Sequence, residues 1–247
     1  MHSPVVDLRE RAETIAERLA REPAVDGICL FGSLARGDAT PSSDIDLLVV
    51  GSDPDLSPTK LLKLLPEPLR RQRVSLVYYP DDDLEQLFTS GSSFVEHLRR
   101  EATILYDEGG RLEHVLGDEF TVHLDVKAEL AAELDRLSIY SDLRMFNGNL
   151  LFVLAQLYAI GKAIVMLALT AADEREYNRE AAFAAFRRRH PELAADVDAI
   201  ERLRPFYRLV TRRGSEPLPF PYRGAEANTG ETIDAIKRIA DAVEQSP

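Results

Sequence analysis

Apolar residues at Val5, Leu8, Ala12, Ile15 and Leu19 recur every three or four positions, which predicts an opening amphipathic helix from Ser3-Pro4 to about Arg21. Ser3 suits the N-cap and Pro4 the first turn, where its missing N–H costs nothing. Glu22-Pro23 ends it. The period then changes. Residues 25–31 form a short, nearly continuous apolar run, read as a buried strand entering a tight Gly32-Ser33 turn. Residues 34–36 open a short helix and 37–43 a loop. Residues 44–50 read as a second strand, followed by turn residues to 58. A helix over 60–65 is broken by Pro66 and Pro68, and 73–79 is a third strand. Residues 81–88 and 94–100 are predicted helices, and 103–106 a last short strand.

Near residue 120 the strand pattern stops. Helices are predicted over 122–137, 146–170, 178–190, 192–207 and 231–245, with His190-Pro191 as a stop and a proline-bearing loop over 214–230. The expected fold class is therefore α+β: a small mixed-sheet domain over residues 1–119, then an all-helical bundle over 120–247. No internal repeat or low-complexity tract interrupts this division.

Composition changes the picture in two ways. The net charge of −12 removes the basic footprint that nonspecific nucleic-acid binding needs. Nearly all of the acidic excess, net −10, lies in residues 1–119, which suits a divalent metal and a cationic acceptor as well as plain solubility. A single cysteine, Cys29, excludes an internal disulfide; set in an apolar run, it reads as a small core residue. The stretch 150–172 is apolar enough to raise the question of a membrane. Gln156, Gly161 and Lys162 in its middle favour a buried bundle helix instead. A charged N-terminus without a signal-type apolar region points to the cytoplasm.

The candidate chemistry lies in Phe31-Gly-Ser-Leu-Ala-Arg-Gly-Asp38 followed by Ser43-Asp-Ile-Asp-Leu-Leu-Val-Val50. Alternate side chains of a strand share a face, so Asp44 and Asp46 point the same way and repel unless a cation lies between them. Hard carboxylate oxygens suit Mg²⁺, which also takes triphosphate oxygens. A Gly-Ser turn at a helix start offers N–H groups and a hydroxyl to phosphate.

This arrangement resembles the polymerase-β nucleotidyltransferase superfamily, whose motif is Gly-Ser, roughly ten residues, then Asp-x-Asp. Ala35-Arg36-Gly37 and Ser43-Asp44 extend the similarity to its minimal bacterial branch, and 94–106 resembles the helix and strand that close that domain. The resemblance covers residues of about 25 to 107. It implies Mg²⁺-dependent transfer of a nucleoside monophosphate from an NTP to a hydroxyl of a small molecule or protein. Asp44 and Asp46 would be catalytic metal ligands, and Gly32, Ser33 and Arg36 would hold the nucleotide's phosphates.

One departure matters. The superfamily usually carries a third carboxylate on a later strand, in a pattern like Val-Asp-Leu-Val. Here the run is Val74-Ser75-Leu76-Val77. A serine is a poor metal ligand and no general base at neutral pH. Asp81, Asp82 and Asp83 just beyond could substitute, although a helix N-terminus attracts acids anyway. Alternatively the protein works with one firm metal, or is a degenerate nucleotide-binding or antitoxin-like module that binds a partner protein.

The second half is similar, more weakly, to the helical substrate-binding bundles of antibiotic nucleotidyltransferases and to HEPN domains. A HEPN ribonuclease needs an Arg five to seven positions before its His, whereas positions 183, 184 and 185, ahead of His190, are Phe, Ala and Ala. Lys162, one turn after Tyr158 on the apolar helix, is a candidate phosphate contact. The Arg187-Arg188-Arg189 run reads as a solvated helix end. The series Arg202, Arg204, Arg208, Arg212 and Arg213 is denser than that reading needs, and is expected to meet acids of the first domain or of a partner chain, a second copy in a homodimer included.

Overall fold

The computed structural model describes residues 4–41, 43–70, 73–89, 91–117, 124–212 and 225–244. The chain forms two compact units, Met1–Leu124 and Asp125–Pro247. Ser3, Gln245 and the prolines at 217, 219 and 221 lie outside the described residues.

The first unit is built on a four-stranded mixed sheet of order β3-β2-β1-β4. Its strands are β1 (Val25–Phe31), β2 (Ile45–Gly51), β3 (Val74–Pro80) and β4 (Thr103–Asp107). β1 pairs antiparallel with β2 and β4, and β2 runs parallel to β3. Both faces of the central pair are covered, which explains why their sequences read as apolar runs rather than clean alternations. Ile28, Leu30, Ile45, Leu47 and Val49 pack on one face with α1 (Pro4–Leu19), through Ala12, Ile15 and Leu19, and with α3 (Pro58–Leu64), through Leu61. Cys29, Phe31, Leu48 and Val50 pack on the other with α5 (Asp81–Thr89), α6 (Ser93–Glu101) and α7 (Arg111–Leu116).

Several local predictions move by a residue or two. Asp44 lies just ahead of β2 rather than inside it. Ser57 caps α3 by accepting the Lys60 N–H. Pro66 and Pro68 do not leave a bare loop: a short helix, α4 (Glu67–Arg70), carries Pro68 in its first turn, where proline is tolerated. The four-residue helix α2 (Ser33–Arg36) follows β1.

The second unit is all helical: α8 (Val126–Ile139), α9 (Leu150–Ala171), α10 (Arg179–Arg189), α11 (Ala194–Glu201), α12 (Arg204–Arg212) and α13 (Ala225–Glu244). The expected single helix over 192–207 is two helices, because Pro205 can sit only in a first turn and starts α12 afresh. The loop expected over 214–230 is already helical from Ala225. Among the described residues α9 is the one helix long and apolar enough to cross a membrane, yet its side chains Val153, Leu154, Leu157, Ile160 and Ile164 lie in the bundle core. At Gly161 an added Cβ would lie 2.8 Å from Ile200, so α11 sits directly on the α9 backbone.

Candidate functional site

The parallel register of β2 and β3 sets Asp46 opposite Ser75, and the antiparallel register of β1 and β2 sets Phe31 opposite Asp46. Paired residues share a face, so Phe31, Asp46 and Ser75 form one row on the side covered by α5 and α6. Ser75 is exposed on the edge strand; Asp44 and Asp46 are half-buried, and one carboxylate oxygen of Asp44 is shielded from solvent.

Between Phe31 and α2 the backbone turns through Gly32 at φ 74°. That left-handed conformation favours glycine. The turn also lies against the strand: a Cβ built on Gly32 would fall 2.6 Å from Asp46 Oδ2. The Gly-Ser turn and the second carboxylate of Asp44-Ile-Asp46 therefore touch, although fourteen positions separate Gly32 from Asp46 in the chain. After the turn, Arg36 N–H donates to Gly32 O at 3.0 Å, and the Gly37 and Asp38 N–H groups both donate to Ser33 O at 3.1 Å. Gly37, again left-handed at φ 85°, closes α2.

Arg36 is held from α6. Its Nη1 donates to Glu101 Oε2 at 2.6 Å, while His97 Nε2 lies 2.6 Å from the same oxygen. The Glu101 side chain is 7% exposed, so this oxygen is a nearly buried acceptor shared by two donors. Arg36 also approaches Asp38 at 3.4 Å. The His97 ring meets Phe31 edge to face at 6.0 Å. Sequence reading marked the 94–106 segment but missed Glu101 and His97; only the i,i+4 spacing of His97 and Glu101 on one face of α6 was visible beforehand.

The three acids after β3 stand at the far end of the sheet. Asp81 follows Pro80, which pairs with Gly51, five rungs from the Asp46–Ser75 pair. At ~3.3 Å per residue that is about 17 Å, beyond the reach of any side chain in the row. Asp81 is moreover engaged by Arg111, and Asp82 and Asp83 are exposed. They do not replace the missing acid. Among the described residues no group of three or more His, Cys, Asp or Glu assembles that could hold a metal by itself. One hard carboxylate, that of Asp46, lies beside the backbone turn, and that of Asp44 precedes it by two residues in the chain. This fits a divalent ion that completes its shell with phosphate and water oxygens, and leaves a second ion without its carboxylate. A cleft of about 330 Å³ lined by Leu8, Arg11, Ile45 and Arg73 opens on the opposite face of β2 and is distinct from the Asp46 row.

The remaining candidates fall elsewhere. Cys29 is buried and its thiol is pushed up to about 12, chiefly by burial, so it is an inert core residue. Lys162 is half-buried on α9, and its charge acts on Glu133 of α8. Tyr158 does not share an open face with it: Tyr158 is enclosed against Phe183 and Tyr207. The arginines are structural more often than expected. Arg187 is no simple solvated end, since it pairs with Asp198 and Glu201. Arg202 pairs with Glu231 and Arg204 with Glu180, both inside the helical unit. The Arg212 side chain and Arg213 lie outside the described residues.

A nucleotidyltransferase domain model matches residues 12–139. No curated protein matches the chain by sequence. Among solved structures, the spectinomycin adenyltransferase AAD(9) of Enterococcus faecialis, with ATP and spectinomycin, is similar in fold. It is 15% identical with a TM-score of 0.56, over 97% of this chain and 99% of that one. A nucleotidyltransferase-like protein of Exiguobacterium sibiricum 255-15 is 16% identical with a TM-score of 0.36, over 94% and 74%. A toxin–antitoxin structure with AMP-PNP is 23% identical with a TM-score of 0.36, over 51% and 98%. With the family model spanning more than half of its length, the chain belongs to the nucleotidyltransferase domain family.

Proposed function

We propose that the protein transfers a nucleoside monophosphate from a magnesium-bound NTP to a hydroxyl of a small molecule or protein. The observation that carries this reading is the approach of Gly32 to the Asp46 carboxylate, which brings a phosphate-binding turn and a metal-binding acid into one place. A divalent ion held by Asp44 and Asp46 would neutralise triphosphate charge and acidify the attacking hydroxyl. The Gly32-Ser33 turn offers backbone N–H groups and the Ser33 hydroxyl to the phosphates. The acceptor oxygen bonds to the α-phosphorus, the α–β anhydride bond breaks, and pyrophosphate leaves. With serine at position 75, the acceptor's proton passes to water rather than to a third carboxylate, which predicts slow turnover. The acidic first half and the fold shared with the spectinomycin enzyme favour a small cationic acceptor such as an aminocyclitol. Lys162 is proposed as a further phosphate contact.

The test is incubation with each labelled NTP, magnesium and a panel of acceptors, following pyrophosphate and adduct. Turnover by wild type and none by Asp44→Asn/Asp46→Asn supports the reading. A second reading, a module that binds nucleotide without transferring it and acts on a partner protein, is favoured by Ser75 standing opposite Asp46. Magnesium-dependent NTP binding with no adduct from any acceptor would select it.

A further inference from the structure

We propose that Glu101, together with His97, is a positioning residue that sets the Gly32-Ser33 turn from α6. The inference rests on the reading above, in which that turn receives a triphosphate. The argument is one of anchorage on both sides of the turn. Immediately before it, Phe31 is held by the His97 ring at 6.0 Å, edge to face. One helical turn after it, Arg36 is held by Glu101 at 2.6 Å. The two α6 residues are four apart and bound to each other at 2.6 Å, so they act as one body. A carboxylate only accepts, so His97 Nε2 carries the proton in this contact. Glu101 Oε2 thus collects two donors, one from each anchor.

A four-residue helix such as α2 cannot hold its own geometry, because a single turn is no more than a helix nucleus. Its entry and exit residues, Gly32 and Gly37, are both glycines at positive φ, the residue type with the most backbone freedom. Some outside contact must fix it. Glu101 supplies an ion pair that ties α2 to α6. A nearly buried carboxylate is expensive unless satisfied, and here it is satisfied only while Arg36 and His97 are in place. The turn is therefore locked to α6, whose apolar face, through Val95 and Leu98, packs in one core cluster with Phe31 and Leu48. Relaxing the lock would let the turn drift from the Asp46 carboxylate and loosen the triphosphate.

The test is binding of the four α,β-methylene nucleoside triphosphates, which cannot release pyrophosphate, with magnesium, to full-length protein. Wild type is compared with Glu101→Gln, Arg36→Ala and the double variant. Losing a charge-assisted contact predicts about tenfold weaker triphosphate binding by Glu101→Gln. Binding of the corresponding nucleoside monophosphate should change less than twofold. Because Glu101 acts in part through Arg36, the two losses should be less than additive in the double variant, a non-additivity that a general loss of stability does not produce. His97→Gln, which keeps a donor for Glu101 but loses the ring on Phe31, serves if Glu101→Gln does not fold, with about threefold weakening expected. Unchanged triphosphate affinity in these variants, or additive losses in the double variant, overturns the inference while leaving the proposed function standing. Failure of wild type to bind any of the four analogues overturns both.

Discussion

Ser75 faces Asp46 across the parallel pair of β2 and β3, on the same rung of the ladder. The register is the one expected of a third metal-binding acid, and the residue is a hydroxyl. Under the proposed function, an acid in its place would supply a further ligand and a base together. Ser75→Asp should raise the rate of pyrophosphate release on the order of a hundredfold, the lower end of what a positioned base contributes. Initial rates at saturating NTP and magnesium check this. An unchanged rate in a variant that still binds NTP would show that proton removal does not limit turnover.

Gly32→Ala is expected to be costly twice over. The left-handed backbone strains any side chain, at about 1–3 kcal/mol. The new methyl also collides with Asp46 Oδ2. Thermal unfolding should show the first effect, and loss of magnesium-dependent NTP binding the second.

In the helical unit, Gly161→Ala should destabilise, against helix propensity, which favours alanine over glycine by about 1 kcal/mol. Ile200 lies where the methyl would go, and overpacking of this kind costs about 1–3 kcal/mol. A raised unfolding midpoint in urea would show that α11 shifts at no cost.

Asp26 gives a pH-dependent prediction. Its carboxyl is raised above the usual range, first by burial and then by the charges of Asp81 and Glu108, with Ser52 and Arg111 opposing. A raised acid favours the folded state when protonated. Its penalty is therefore absent below the unfolded value of 3.8 and develops as pH rises through the folded value. Asp26→Asn should raise the melting temperature at pH 7, and the gain should shrink as pH falls towards 4. A gain independent of pH would assign the effect to something other than titration.

Much of this architecture was legible in the residues. The apolar run of β1 was bounded as it stands. The place of Ser75 followed from the resemblance of Val74-Ser75-Leu76-Val77 to the strand that carries the superfamily's third acid, because alternation within one strand does not fix its register against another. What was missed has separate causes. α7 is six residues long and carries too little periodicity to stand out. The break between α11 and α12 depended on weighing Pro205 above an otherwise helical pattern. The contact of Glu101 with Arg36 joins residues 65 positions apart, and no local pattern announces such a pair. For the same reason Arg202 and Arg204 were expected to look outward, when their acids lay within the bundle.

The place of Ser75 in the sheet has a consequence for how such a protein changes over time. It stands on an edge strand with its side chain in solvent, touching no core. An acid there would gain no packing and, without a cation, would face the like charge of Asp46, so foldedness gives no reason to keep one. Only demand for turnover can keep one in place. Gly32, wedged against Asp46, is under the opposite regime: folding itself polices it. A lineage released from catalysis would therefore shed its base first and keep its nucleotide cradle long afterwards, and one drawn back to catalysis would have a single side chain to recover.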